Sequence, residues 1–186
     1  MSILKIFDQN GGNPGFSTTD HAEISQNLNK IGVRFERWTA EKALSDSASQ
    51  DEILAAYHTA VDKLKKEYGF QSADVVSLTP DHPDKKAFRE KFLSEHTHSD
   101  FEVRFFVDGS GLFYIHKDNS VYTILCEKGD LISVPANVTH WFDMGANPFF
   151  KCIRLFTTPE GWVANFTGSD ISTKHPDYEK FMSLAK

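Results

Sequence analysis

Residues 95–104 read Glu95-His96-Thr97-His98-Ser99-Asp100-Phe101-Glu102-Val103-Arg104. Imidazoles and carboxylates are the side chains that hold divalent transition metals, as neutral nitrogen and anionic oxygen donors. Residues two apart on an extended strand point to one face. On an unbroken strand His96, His98, Glu102, Arg104 and Phe106 therefore share one face, and Phe101, Val103, Phe105 and Val107 share the other. Several ionisable groups desolvated together would shift their pKa values and lose charge. A divalent cation that accepts the imidazoles and the carboxylate resolves this. A His-x-His pair alone is a weak signal, because such pairs also sit on exposed strands. A glutamate in phase strengthens it, and a ligand from elsewhere in the chain decides it.

That ligand comes from the segment Gly129 to Phe142. An apolar run, Leu131 to Val134, enters Pro135, turns at Ala136-Asn137 and resumes at His140. Asn137 stands where a tight turn can need positive φ, and asparagine tolerates it best after glycine. His140 opens the next strand and can point inward with Phe142. The candidate metal ligands are thus His96, His98, Glu102 and His140. Arg104 shares their face and stays charged at any working pH, so it can steady a developing anion. The alternative is that Arg104 simply pairs with Glu102 or Asp100.

The elements around these residues change character along the chain. Residues 1–70 read as α/β. Met1 to Phe7 forms a strand, and a loop follows through Gly11, Gly12, Pro14 and Gly15. Asp20-x-x-Glu23 caps a helix carrying Ile24, Leu28 and Ile31, which Gly32 ends. Val33 to Trp38 alternates as a half-buried strand. Ser49-x-x-Glu52 is a capping box that opens one helix with an apolar stripe from Ile53 to Tyr68, stopped by Gly69. Val75 to Leu78 reads as a strand, and Pro83 opens a helix with Phe88 and Phe92 one turn apart. From His96 onward, short β-type runs are separated by Asp108-Gly109-Ser110-Gly111, Lys117-Asp118-Asn119, Lys128-Gly129-Asp130 and Ala146-Asn147-Pro148. Such spacing predicts a small antiparallel barrel or sandwich. After Gly168 the tail is polar and ends in a short helix beyond Pro176.

Bulk properties narrow the function. The chain has 186 residues and a net charge of -6, with acids and bases mixed throughout. That argues against nucleic acid, which needs a basic stripe, and against docking on an anionic membrane. Cys126 and Cys152 both lie in apolar runs, as buried thiols of a reducing compartment would. Met1 to Asn10 lacks the features of a secretory signal, and no apolar stretch nears the roughly 20 residues of a membrane span. A cytoplasmic protein is expected. His21, His58, His82 and His175 carry no motif and are expected to be solvent-exposed, and His116 lies at a strand end.

The two ligand segments resemble the paired motifs of the cupin superfamily. His96, His98, Glu102 and Gly109 fill the first, and Gly129, Pro135 and His140 fill the second. Asn137 replaces a motif glycine, Glu90 stands where a glycine is usual, and Met144 where an asparagine is usual. Within that superfamily the chain resembles the acireductone dioxygenase family. The resemblance rests on Glu95 to Phe106, Glu127 to Ile132, Pro135 to Phe142, Gly32 to Trp38 and Pro159-Glu-Gly-Trp162, and covers nearly the whole chain.

The resemblance implies a mainly β fold. This is a cupin-type antiparallel β-barrel (double-stranded β-helix) with an α/β N-terminal cap. It would form a single domain over 1–186, with cap 1–70, barrel 71–168 and tail 169–186. It implies oxidative cleavage of 1,2-dihydroxy-3-keto-5-methylthiopentene by O2 in methionine salvage. With Fe(II) the products would be formate and 2-oxo-4-methylthiobutanoate; with Ni(II), formate, carbon monoxide and methylthiopropionate. One Fe(II) or Ni(II) per chain is implied. Four protein ligands leave an octahedral ion two positions for a chelating substrate, and nitrogen and oxygen donors do not by themselves choose the metal. Arg104 would be catalytic, and Phe92, Phe142, Arg154 and Trp162 would bind substrate. The partners expected are a small molecule and O2, and the protein is expected to be a monomer. Two rivals are weighed: another cupin metalloenzyme, such as a sugar isomerase, and a non-enzymatic sensor. A sugar-phosphate site would need more cations than Arg104 and Arg154, and a sensor usually needs a second domain.

Overall fold

The computed structural model describes residues 1–39, 44–45, 47–158 and 161–184. Its organising element is one long strand. The elements run β1 (Ile3–Asp8), β2 (Phe16–Thr18), α1 (His21–Lys30), β3 (Arg34–Arg37), α2 (Gln50–Ala56), α3 (His58–Tyr68), β4 (Ser72–Leu78) and α4 (Lys85–Leu93). They continue with β5 (His96–Thr97), β6 (Glu102–Lys117), β7 (Ser120–Glu127), β8 (Asp130–Val134), β9 (Thr139–Asp143), β10 (Phe150–Phe156) and β11 (Asn165–Phe166). A 3-10 turn at Ile171–Lys174 precedes α5 (Tyr178–Ser183).

The first half of β6 pairs with β8 and β10, and its second half with β7 and β9. All pairings are antiparallel, so β6 belongs to two sheets that face one another as a cupin-type barrel. The expected turn at Asp108–Gly111 is therefore corrected: the strand continues and bends from one sheet to the other. Its glycines permit this. Gly109 has φ of 70° and lies against the Phe149 carbonyl, where a β-carbon would sit 1.9 Å from the oxygen. A β-carbon on Gly111 would sit 2.3 Å from the Phe142 ring. Opposite Lys151 and Cys152 of β10 the register passes over Val107, so β6 carries a bulge next to the same bend. By contrast Asp118 and Asn119, at φ of 51° and 62°, do close a tight hairpin.

The first 70 residues are woven into these sheets as well as lying over them. β1 pairs with β7, β2 with β1, and β3 with β8; just beyond residue 70, β4 adds to the edge of β10. The long helix expected from Ser49 to Gly69 is two helices. The capping box at Ser49 and Glu52 is present and Gly69 ends the second helix at φ of 75°, but Tyr57 breaks the run at φ of -122° and ψ of 17°. Its ring packs 4.6 Å from that of Phe105. Packing against the barrel overrides the continuous helical period here. α4 begins at Lys85, after Asp84, rather than at Pro83.

Burial divides into three layers. The barrel interior holds Phe106, Phe113, Phe142, Phe150, Cys126 and Cys152, joined by Ile24 and Leu28 of α1. The outward face of β6, with Val103, Phe105 and Val107, is covered by Ile53, Val61 and Leu64 of α2 and α3. A third cluster on Leu112, Tyr114 and Trp141 receives Ile171 and Phe181 from the C-terminal segment. Both cysteines are free and buried, as their apolar settings predict. Among the described residues no helix is long and apolar enough to cross a membrane.

Candidate metal centre

The four candidate ligands arrive from three strands and a bend. His96 sits on β5 opposite His140 of β9. His98 follows β5 directly, and Glu102 opens β6. The phase argument for one unbroken strand is corrected, because the chain bends at Ser99-Asp100. Asp100 fixes the bend by accepting from the Phe101 N–H (2.7 Å) and from the N–H (3.0 Å) and hydroxyl (2.6 Å) of Thr157. Strand alternation thus holds within β6, where Glu102 and Arg104 do share the inner face, but it does not carry His98 into register with Glu102. Asn137, at φ of 63°, makes the expected tight turn, and its N–H donates to the His98 carbonyl at 2.8 Å.

All four side chains are buried, and one donor atom from each lies within 4.8 Å of all the others. Each imidazole is oriented from behind by a main-chain carbonyl. Nδ1 of His96 donates to Ser94 at 2.7 Å, that of His98 to Val163 at 2.9 Å, and that of His140 to Val138 at 2.8 Å. A carbonyl only accepts, so Nδ1 carries the proton in each ring. Every Nε2 can then present a lone pair to the centre. Oε2 of Glu102 lies 2.9 Å from Nε2 of His98 and 3.2 Å from Nε2 of His140. Neutral imidazole lone pairs facing a carboxylate inside a protein repel unless a cation or proton lies between them. Backbone-oriented imidazoles of this kind are the usual support of metal-bound histidine. The donor set fits one divalent transition ion.

The protonation equilibria agree. Burial lowers the pKa of His96 to about 4, against a weaker opposing bond to Ser94. Burial is also the largest effect on His98 and lowers it, but the bond to Glu102, the charge of Glu102 and the bond to the Val163 carbonyl together outweigh it and the net shift is upward. Burial alone would raise Glu102, yet Arg104, His140 and His98 hold it well below the usual carboxylate range.

Arg104 donates Nε–H to Oε1 of Glu102 at 2.8 Å. Of the two alternatives for a simple ion pair, Glu102 is the partner. No other group among the described residues accepts from its remaining N–H groups. The guanidinium lies over aromatic faces, 4.7 Å from the centre of Phe142 and 5.6 Å from that of Trp162. The charge is buried, only partly paired, and aimed into a cavity of about 340 Å³.

Val76, Leu78, Phe88, Phe92, Phe142 and Phe150 form the apolar side of that cavity; Arg154 and Trp162 also line it. Arg154 is already forked onto Asp74 at 2.8 and 2.6 Å. Among the described residues the buried indole N–H of Trp162 has no partner. Pro159 and Glu160 of the C-terminal motif lie outside the described residues. His175 is corrected: it is buried, its ring 5.9 Å from that of Trp141. Sequence reasoning also missed the Val163 carbonyl behind His98 and the buried Glu95, which binds His116 at 2.8 Å and the Thr167 hydroxyl at 2.6 Å. A backbone acceptor has no residue-type signal, and Glu95 pairs only with residues distant in sequence.

Two antiparallel sheets sharing β6, closed around a buried three-histidine, one-glutamate cluster, define a cupin-type barrel. The profile described as the ARD/ARD' family matches residues 8–164. A protein of Aquifex aeolicus called acireductone dioxygenase is 56% identical over 98% of this chain and 100% of its own length. One of the same name from Methylococcus capsulatus is 57% identical over 98% of each. The solved structure of acireductone dioxygenase from Bacillus anthracis, with a cadmium ion in its active centre, superposes with a TM-score of 0.77 at 32% identity. It covers 89% of this chain and 98% of that one. The chain belongs to the ARD/ARD' family, and these relatives carry the name of a dioxygenase.

Proposed function

We propose that this protein is an acireductone dioxygenase that holds one Fe(II) or Ni(II) with His96, His98, Glu102 and His140. The observation that carries the reading is the set of imidazoles whose Nδ1–H groups are all committed to main-chain carbonyls, so that their Nε2 atoms converge on Glu102. When bound, the ion supplies a Lewis-acidic centre that holds the ene-diol as an anion and brings it together with O2.

The chain's own residues do the rest. Arg104 places a permanent positive charge beside that anion and, through Nε–H, keeps Glu102 ionised and oriented. Its position over Phe142 and Trp162 excludes water from the guanidinium and strengthens its field. Phe92 and Phe142, with Val76 and Phe88, form the apolar wall that takes the methylthio tail. The indole N–H of Trp162, without a partner among the described residues, donates to a substrate oxygen, and Arg154, held by Asp74, marks the polar rim. The substrate is the methylthio ene-diol of methionine salvage, turned over in the cytoplasm by a monomer built as one domain.

The test loads metal-free protein with Fe(II) or Ni(II) separately and identifies products from the ene-diol and O2. The reading expects formate with the 2-oxo acid from the iron form, and formate with carbon monoxide from the nickel form. Absence of O2 consumption by both forms contradicts it.

A further inference from the structure

We propose that α5 is a clamp that sets the tail selectivity of the cavity by fixing α4, with Glu179 and Arg89 as its positioning residues. The inference rests on the ene-diol reading above. α4 carries Phe88 and Phe92 on the cavity wall, their rings stacked at 6.2 Å. Yet α4 has no fully buried residue and no side-chain N-cap bond. Apolar burial alone does not fix such a helix along its axis.

A polar chain fixes it instead. Arg89 follows Phe88 and forks onto Asp143, Nε to Oδ1 at 2.7 Å and Nη2 to Oδ2 at 2.9 Å. Asp143 is completely buried and follows Phe142, the wall residue that meets Phe92 at 6.3 Å. Arg89 also donates from Nη2 to Oε2 of Glu179 at 2.6 Å. The first turn of α5 completes the lock: the Tyr178 N–H donates to Asp143 at 2.8 Å, and Oε1 of Glu179 accepts from the Ala146 N–H at 2.7 Å. Phe181 anchors the helix beneath, fully buried. The relative position of Phe92 and Phe142 is thus set by bonds among α4, β9 and α5. None of these bonds involves a candidate metal ligand or Arg104. The match to the family profile ends at residue 164, before α5 begins.

Chemistry and tail selection are therefore separable in this chain. The test compares kcat and KM for two ene-diols, one with the methylthio tail and one truncated to a methyl group, using metal-loaded wild type, Glu179→Ala and Arg89→Lys. Glu179 is half exposed, so its substitution leaves the core intact; the lysine keeps the charge but loses the fork. The ratio of kcat/KM values, tailed over truncated, falls about three- to tenfold in both variants. The loss lies in KM for the tailed substrate, with metal content unchanged and kcat for the truncated one within about twofold. An unchanged ratio, or an equal loss on both substrates, overturns the clamp while leaving the activity standing. If the wild type turns over neither substrate with either metal, the activity reading falls and takes the clamp with it.

Discussion

Asp143 and Glu102 are both carboxylates buried in the same barrel, at 0% and 3% exposure, and they sit in opposite electrostatic situations. Asp143 accepts from Nε and Nη2 of Arg89 and from the N–H groups of Gly145 and Tyr178. The protein satisfies it completely. Glu102 has one committed donor, Arg104, and turns its other oxygen toward imidazole nitrogens whose protons lie on the far side of their rings. Burial is common to both, so burial does not mark the site. The mark is a buried acceptor surrounded by further acceptors, which only a cation or a borrowed proton can reconcile.

The contrast can be broken at either end. His140→Ala removes one donor from the centre, and bound metal and turnover are expected to vanish together in elemental analysis and O2 uptake. Asp143→Ala strips the partner from buried Arg89; it should cost about 3–5 kcal/mol in denaturant unfolding while the folded fraction still binds metal. Arg104→Ala should keep the metal and lower kcat about 10²–10³-fold, read by steady-state kinetics. Unchanged turnover would remove Arg104 from the mechanism.

A smaller effect sharpens the comparison through pH. In the metal-free centre His98 holds a proton more tightly than an ordinary imidazole, because its pKa lies above the ordinary 6.5. Below that raised pKa a proton competes with the ion for Nε2, so affinity weakens as pH falls, about tenfold per unit. Above it the proton is already gone and affinity levels off. His96, lowered to about 4, adds a second competing proton only in stronger acid. Titrating metal-free protein with Ni(II) at several pH values checks the slope.

Much of this was legible in the residues. His96, His98, Glu102 and His140 announce a metal site by type, and the Pro135–Asn137 turn by composition. The reason they meet was not legible. Strand phase across 96–104 predicts one face, whereas the bend at Ser99-Asp100 makes the site by joining two sheets. Likewise Gly109 and Gly111 carry turn chemistry but serve a bend inside β6, because Phe149 and Phe142 approach too closely for a side chain. Tyr57 splits an apparently continuous helix to reach Phe105. In each case a distant contact outweighs a local pattern, and the distant partner is invisible in the local window. The same holds for His175, polar by type yet buried against Phe7 and Trp141.

The central claim is that one ion at this cluster carries the activity. Metal content and O2 consumption with the ene-diol, measured on the same samples of wild type and His96→Ala, test it most directly. The account predicts one Fe(II) or Ni(II) per chain with turnover in the wild type, and neither in the variant. Full O2 consumption by protein free of metal would contradict it.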